Sequence, residues 1–177
     1  FIREKRLRGG VVGTTMTNLG FEKALGQLGV PFERTQVGDR YVHERMDKLN
    51  WNLGGESSGH IICDDLNTTG DGIISALQVV SAMILQECPL SKLAMGMTKY
   101  PQRLISIEGS NPRKAVASVK LNRLIRDIQK QLGDKGRVIV RPSGTEPVVR
   151  VMVEGFDQES VDKYAESLAD MVRKQMA

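Results

Sequence analysis

Apolar and polar residues follow two different rhythms along this chain, and the change comes near residue 100. In the first part, short β-branched runs alternate with stretches of helical period. Val11–Met16 reads as a strand, and Asn18 as the N-cap of a helix carrying Leu19, Ala24, Leu25 and Leu28 that stops at Gly29. Val30–Val37 reads as a second strand, and Asp39–Asn50 as a helix capped by Asp39. Residues 51–56 and 59–65 read as two strands joined around Glu56–His60. A long helix, Gly70–Glu87, follows Asn67-Thr68-Thr69, with Asp71-Gly72 opening it. The alternation predicts a three-layer α/β domain over residues 1–98.

Residues 99–103 read as a linker, because Pro101 disfavours helix in the residue before it and the pattern changes afterwards. Residues 103–109 then read as a strand. Arg113–Leu132 reads as one helix with an apolar stripe of Val116, Val119, Leu124, Ile125 and Ile128, followed by a turn at Gly133–Gly136. Two β-branched strands, Val138–Val140 and Val148–Val153, precede a final helix over Gln158–Met176. Strands meeting strands with helices on one face predict a small α+β domain over residues 104–177.

Composition narrows the class. The chain has 177 residues, 40% of them apolar, enough for packed cores, and its longest apolar stretch, Ile73–Leu85, is interrupted by Ser75, Gln78 and Ser81. That is short of the roughly 20 apolar residues of a membrane span, so no membrane partner is expected. Cys63 and Cys88 have no CxxC spacing, which suits a reducing cytoplasm better than a disulfide scaffold or a zinc site, and both are expected as buried thiols. A net charge of +4 favours anionic partners, but the basic residues form no stripe and aromatics are 5%, which points to small phosphorylated ligands rather than nucleic acid. The chain opens on Phe1 with no apolar signal core, so it reads as one entered partway through.

Two glycine-containing loops carry the candidate chemistry. Arg141-Pro142-Ser143-Gly144-Thr145-Glu146-Pro147 joins the two β-branched strands and offers a guanidinium, two hydroxyls and consecutive amides, all of them donors. Arginine pairs bidentately with phosphate oxygens, and amides with hydroxyls form a nest for the others. From the residues alone the loop is equally an ordinary hairpin turn. Gly54-Gly55-Glu56-Ser57-Ser58-Gly59-His60 places a carboxylate, hydroxyls and an imidazole in a second bend. A carboxylate accepts two hydrogen bonds from vicinal sugar hydroxyls, and a histidine titrating near neutrality serves as general acid or base. The bland reading is a β-turn. His43 reads as an exposed surface histidine in mid-helix, and Asp64-Asp65 as a surface turn, a poor cage for Mg²⁺.

These two loops, with the segments Val37-Gly38-Asp39-Arg40 and Asn67-Thr68-Thr69-Gly70-Asp71-Gly72, resemble the α-D-phosphohexomutases, and most of all the branch acting on amino-sugar phosphates. The resemblance implies a third domain with a mixed sheet, lacking its first residues, a C-terminal domain, and a hinge at Tyr100-Pro101. It implies phosphate contacts for Arg141, Ser143, Gly144 and Thr145, with Glu146 and Arg150 bracing their loop. It implies sugar contacts for Glu56 and Ser58 and a proton-transfer role for His60. Asp39 and Arg40 stand either as substrate contacts or loop-positioning residues, or as a helix cap beside a solvated arginine. The phosphoserine loop and the triple-aspartate loop that binds Mg²⁺ do not occur in this sequence, so an N-terminal half of the same enzyme is implied as partner and as the holder of the metal. The expected whole is an isomerase of glucosamine phosphates serving cell-wall precursor synthesis. A phosphorylated amino sugar is the expected ligand and a homodimer a further partner. The alternatives are a mutase of glucose or mannose phosphates, or a non-catalytic sugar-phosphate-binding module.

Overall fold

The structure is a computed structural model that describes residues 1–176. The chain forms two compact units, Phe1–Lys99 and Tyr100–Ala177.

In the first unit, β1 (Val11–Thr14), α1 (Leu19–Gln27), β2 (Phe32–Thr35), α2 (Asp39–Leu49), β3 (Leu53–Gly55), β4 (Ile61–Cys63) and α3 (Gly72–Leu85) follow one another. The sheet order is β2-β1-β3-β4, parallel across β2-β1-β3 and antiparallel from β3 to β4, so the sheet is mixed. Successive residues of β1 face opposite ways and enter different cores. Val11 packs with Leu25 and Val30 on the α1 side, whereas Val12 packs with Val42, Met46 and Ile62 on the α2 side. This makes three layers. Asn18 caps α1 through the Gly20 N–H, and Asp71 caps α3 by accepting from Ile73 and Ile74 at 2.8 and 3.0 Å. The α3 helix meets β4 through Ser75, while Ile73, Leu77, Val80 and Ile84 remain exposed.

Several boundaries differ from the sequence reading. β1 ends at Thr14, because the Thr14 and Thr17 hydroxyls accept from the Met16 and Thr14 amides and fold residues 14–17 into a turn. β2 is confined to Phe32–Thr35, the residues with a partner in β1. Asp39 is the first residue of α2, not its cap. Gly38 holds the N-cap position at φ 135°, ψ 127°, a conformation open to glycine and strained for other residues. A short α4 (Leu90–Leu93) and a 3₁₀ turn at Ala94–Gly96 follow α3 and have no counterpart in the apolar pattern. No single helix is long and apolar enough to cross a membrane.

The second unit contains β5 (Gln102–Glu108), α5 (Pro112–Val116), α6 (Val119–Leu132), β6 (Gly136–Pro142), β7 (Val148–Gly155) and α7 (Gln158–Met176). β5 begins inside the segment read as linker. The antiparallel sheet has the order β5-β7-β6. One face of β7, Val149, Val151 and Val153, is buried in a single core with Leu121, Ile128, Val161, Leu168 and Val172 from the helices. The helix expected over Arg113–Leu132 is broken at Ala117-Ser118, where Asn122 Nδ2 donates to the carbonyls of Val116 and Ser118 at 2.9 Å. The break resets the helical phase. Val119 is 81% exposed, and Leu121, absent from the expected stripe, is fully buried.

Candidate functional site

The bend between β3 and β4 is built by short-range bonds. Glu56 N donates to His60 O at 2.9 Å and Gly59 N to Glu56 O at 3.1 Å, with Gly59 at φ +99°. The neighbouring Gly54 permits close packing of α2 on β3, since a Cβ there would lie 2.5 Å from Met46 Sδ and 2.7 Å from Val42 Cγ1. At the exposed tip, Ser58 Oγ lies 2.9 Å from His60 Nδ1. When the hydroxyl donates, Nδ1 accepts and the imidazole proton sits on Nε2. Glu56 turns the other way. Its Oε1 accepts the Gly38 N–H at 2.8 Å, placing a negative charge at the N-terminus of α2, where the free amides and the helix dipole favour it.

That contact went unforeseen in the sequence. The segment Val37-Gly38-Asp39-Arg40 does reach the Glu56 loop, but through the Gly38 amide rather than Asp39 or Arg40. Asp39 Oδ1 accepts its neighbour's Arg40 N–H at 2.7 Å, and the exposed Arg40 donates to Glu44 Oε1 at 2.7 Å. The hydrogen bond to Glu44 and its charge push the Arg40 pKa upward. The only sequence signal for this link was a glycine immediately before an acidic helix start. A cavity of about 410 Å³ opens beside the loop, lined by Val12, Phe21, Leu53, Glu56, Ser57 and Met97 among others.

In the second unit, β6 and β7 hold the other candidate loop. Ser143 N donates to Val148 O at 2.8 Å and closes it, while Gly109 N donates to Pro147 O at 3.2 Å. Ser143 is half-buried, and Gly144 and Thr145 are exposed. Arg141 stands directly opposite Arg150 in the strand register. Like charges in that position repel. Arg150 is tied to Glu146 by a 2.7 Å bond, the bracing pair the loop motif implied, yet its buried Nε has no hydrogen-bond partner. Arg141 has no ion pair among the described residues, and burial, then the charge of Arg150, lowers its pKa. Two guanidiniums stand against one carboxylate, beside two hydroxyls and an open glycine, which leaves one positive charge without a carboxylate partner among the described residues.

Three other residues sit differently from expectation. His43 is not a free surface histidine: its side chain is 28% exposed, and its two nitrogens lie 3.5 Å from Asp47 and from Asp64. Cys63 is buried, which raises its thiol pKa, whereas Cys88 is only half-buried in the short connection after α3. Glu154, unremarked in the sequence, is a fully buried carboxylate 2.6 Å from Arg137 Nε.

A three-layer α/β unit with a hydroxyl-and-carboxylate loop, followed by an α+β unit with a cationic turn, defines a two-domain α/β protein with one polar loop and one loop carrying facing arginines. Comparison with known proteins gives the family. The model described as "Phosphoglucomutase/phosphomannomutase, alpha/beta/alpha domain III" matches residues 1–100, and that of the same family's C-terminal domain matches residues 104–171. The chain belongs to the phosphoglucomutase/phosphomannomutase family. Curated relatives named phosphoglucosamine mutase include that of Aeromonas salmonicida, 48% identical over 97% of this chain and 38% of its own length. That of Halorhodospira halophila is 54% identical over 93% of this chain and 36% of its own. The chain thus spans under two fifths of the length of these relatives. Among solved structures, an Aspergillus fumigatus N-acetylphosphoglucosamine mutase with glucose 1,6-bisphosphate aligns at a TM-score of 0.84, 21% identity, 98% of this chain and 40% of that one. The same fungal enzyme with GlcNAc-6P and magnesium aligns at 0.79 and 19% identity, over 98% of this chain and 40% of that one. At such identities these structures show the shared fold.

Proposed function

We propose that this chain forms the sugar- and phosphate-binding part of a longer phosphoglucosamine mutase, which interconverts glucosamine 6-phosphate and glucosamine 1-phosphate in the cytoplasm. The observation that carries the reading is the Arg141–Arg150 pair at the mouth of the Ser143-Gly144-Thr145 turn: two facing cations in a strand ladder are stabilised by a bound anion. The names of the curated relatives supply the amino sugar.

In the whole enzyme a phosphoserine outside this chain gives its phosphoryl group to O1 of the sugar, breaking the serine O–P bond. The serine oxygen then takes the phosphoryl from O6 of the 1,6-bisphosphate. Positioning and charge stabilisation dominate such transfers. Arg141, with the hydroxyls of Ser143 and Thr145 and the Gly144 amide, holds the phosphate not being transferred. Glu56 and Ser58 accept from and donate to sugar hydroxyls. His60, oriented by Ser58, moves a proton at the reacting hydroxyl. Asp39 and Arg40 act indirectly, by keeping α2 in place behind Gly38.

Mg²⁺ belongs to the remainder of the enzyme. The one group of three metal-ligating residues among the described residues, His43 with Asp47 and Asp64, contains an imidazole and does not fit a cation that prefers oxygen ligands in strict octahedral geometry. Calorimetric titration tests the reading. Glucosamine 6-phosphate binds this chain, unphosphorylated glucosamine binds at least about tenfold more weakly, as expected when charge-assisted bonds of about 1.5–3 kcal/mol are lost, and glucose 6-phosphate gauges the amine preference. Equal affinity for the sugar with and without its phosphate removes the clamp. The chain alone gives no mutase turnover; measurable turnover refutes its place as part of a longer enzyme.

A further inference from the structure

Outside both loops, one side-chain cluster has no part in the function just described. His43 and Asp47 lie one turn apart on the same face of α2. The turn after β4 brings Asp64 against them, and one ligand atom from each of the three residues lies within 4.8 Å of the others. The two partners are held from different elements. Asp64 N donates to the carbonyl of the buried Asn52 at 3.0 Å, and Asn52 Nδ2 in turn donates to Asp65 Oδ2 at 2.6 Å and to Arg6 O at 2.8 Å.

The cluster is incomplete as a hydrogen-bonded group. Both imidazole–carboxylate separations are 3.5 Å, beyond good hydrogen-bond length, and His43 Nε2 is shielded from solvent with no hydrogen-bond partner. Buried polar atoms left in that state are exceptions that call for a missing partner. Charge points the same way. Among the described residues the one guanidinium ion-paired with the carboxylates of Asp47, Asp64 and Asp65 is that of Arg8, 3.8 Å from Asp64 Oδ2 and 3.5 Å from Asp65 Oδ1. With the imidazole neutral, this leaves two negative charges, the complement of a divalent cation.

We propose that His43, Asp47 and Asp64 form a binding site for a divalent transition-metal ion of the Zn²⁺ or Mn²⁺ class. One imidazole nitrogen and two carboxylate oxygens suit these ions, with water filling the remaining positions. The ion would staple α2 to the turn after β4. Both elements lie next to Glu56: α2 through the Gly38 amide that Glu56 accepts from, and β4 through the hairpin that carries its loop.

The chain contains two histidines, which makes the test direct. Zn²⁺ is titrated into metal-free protein while the ring ¹⁵N signals of His43 and His60 are followed and the stoichiometry is read by calorimetry. The proposal expects one equivalent of Zn²⁺, a shift of the His43 ring with His60 unmoved, and a higher melting temperature of the first unit. Asp64→Asn and Asp47→Asn each weaken Zn²⁺ binding by at least about tenfold, since even an outer-shell partner of a metal ligand is worth about 10–100-fold. Asp47 is the variant least able to disturb folding, because its side chain is 61% exposed. An unmoved His43 ring, a shift at His60 instead, or Zn²⁺ affinity unchanged in Asp47→Asn overturns the site. Mg²⁺ binding there as tightly as Zn²⁺ overturns the assigned metal class.

Discussion

The two ends of the β6–β7 ladder solve the same problem in opposite ways. At one end Arg137 stands across from Glu154, a half-buried guanidinium on a fully buried carboxylate with 2.6 Å between Nε and Oε2. At the other end, four residues along the same strands, Arg141 stands across from Arg150. The first end is neutral and closed; the second is cationic and opens onto a loop of donors. Strand geometry is alike at both, so the difference lies in one partner residue. A matched cross-strand pair stabilises the fold, and a mismatched one is tolerated where a ligand supplies the missing charge.

This contrast sets the order of expected effects. Arg137→Ala leaves a fully buried carboxylate without its guanidinium and destabilises the second unit by about 3–5 kcal/mol, read as a loss in its denaturant midpoint. Arg141→Ala does the reverse. It removes a repulsion, so stability without ligand holds or rises by about 0.2–1 kcal/mol, while affinity for a sugar phosphate falls by about 1.5–3 kcal/mol. A variant as destabilised as Arg137→Ala shows that the two ends do not differ in kind.

The loop of the first unit offers a milder case, since its groups already satisfy each other. Glu56→Gln keeps an acceptor for Gly38 N–H but removes the charge at the start of α2, and it lowers the stability of the first unit by about 0.3–1 kcal/mol. Thermal melts at low and high salt separate that dipole contribution from packing. The smallest effect is at Asp157, whose Oδ2 accepts Ser160 N–H at 2.8 Å before α7, and whose pKa is lowered by its bonds to Ser160. A depressed carboxylate stabilises fully above its unfolded pKa of about 3.9 and loses that contribution as pH falls through the lower folded value. Asp157→Asn therefore lowers the neutral plateau slightly, leaves stability at low pH nearly unchanged, and so flattens the acid limb of the stability profile below about pH 4.

What the sequence disclosed follows the range of the interactions involved. Local features were legible: the Asn18 cap, the β-branched runs of β6 and β7, and both loops, whose residues are contiguous. Features set by distant neighbours were not. Nothing local announced that Arg141 faces Arg150 or that Glu154 is buried against Arg137, because register is fixed across the sheet. The same holds for Glu56, whose carboxylate reads as free in sequence and is held by an amide 18 residues away. The Arg113–Leu132 helix misled for another reason. Its composition is helical throughout, and only Asn122, bonding back to Val116 and Ser118, reveals the break.

The proposed function rests most on phosphate binding at the Arg141 end of the ladder. Parallel calorimetric titrations of glucosamine 6-phosphate into the chain and into its Arg141→Ala variant test it most directly. Saturable binding to the former is expected, with an affinity lower by about tenfold or more in the latter and both proteins equally folded. Superimposable isotherms would contradict it.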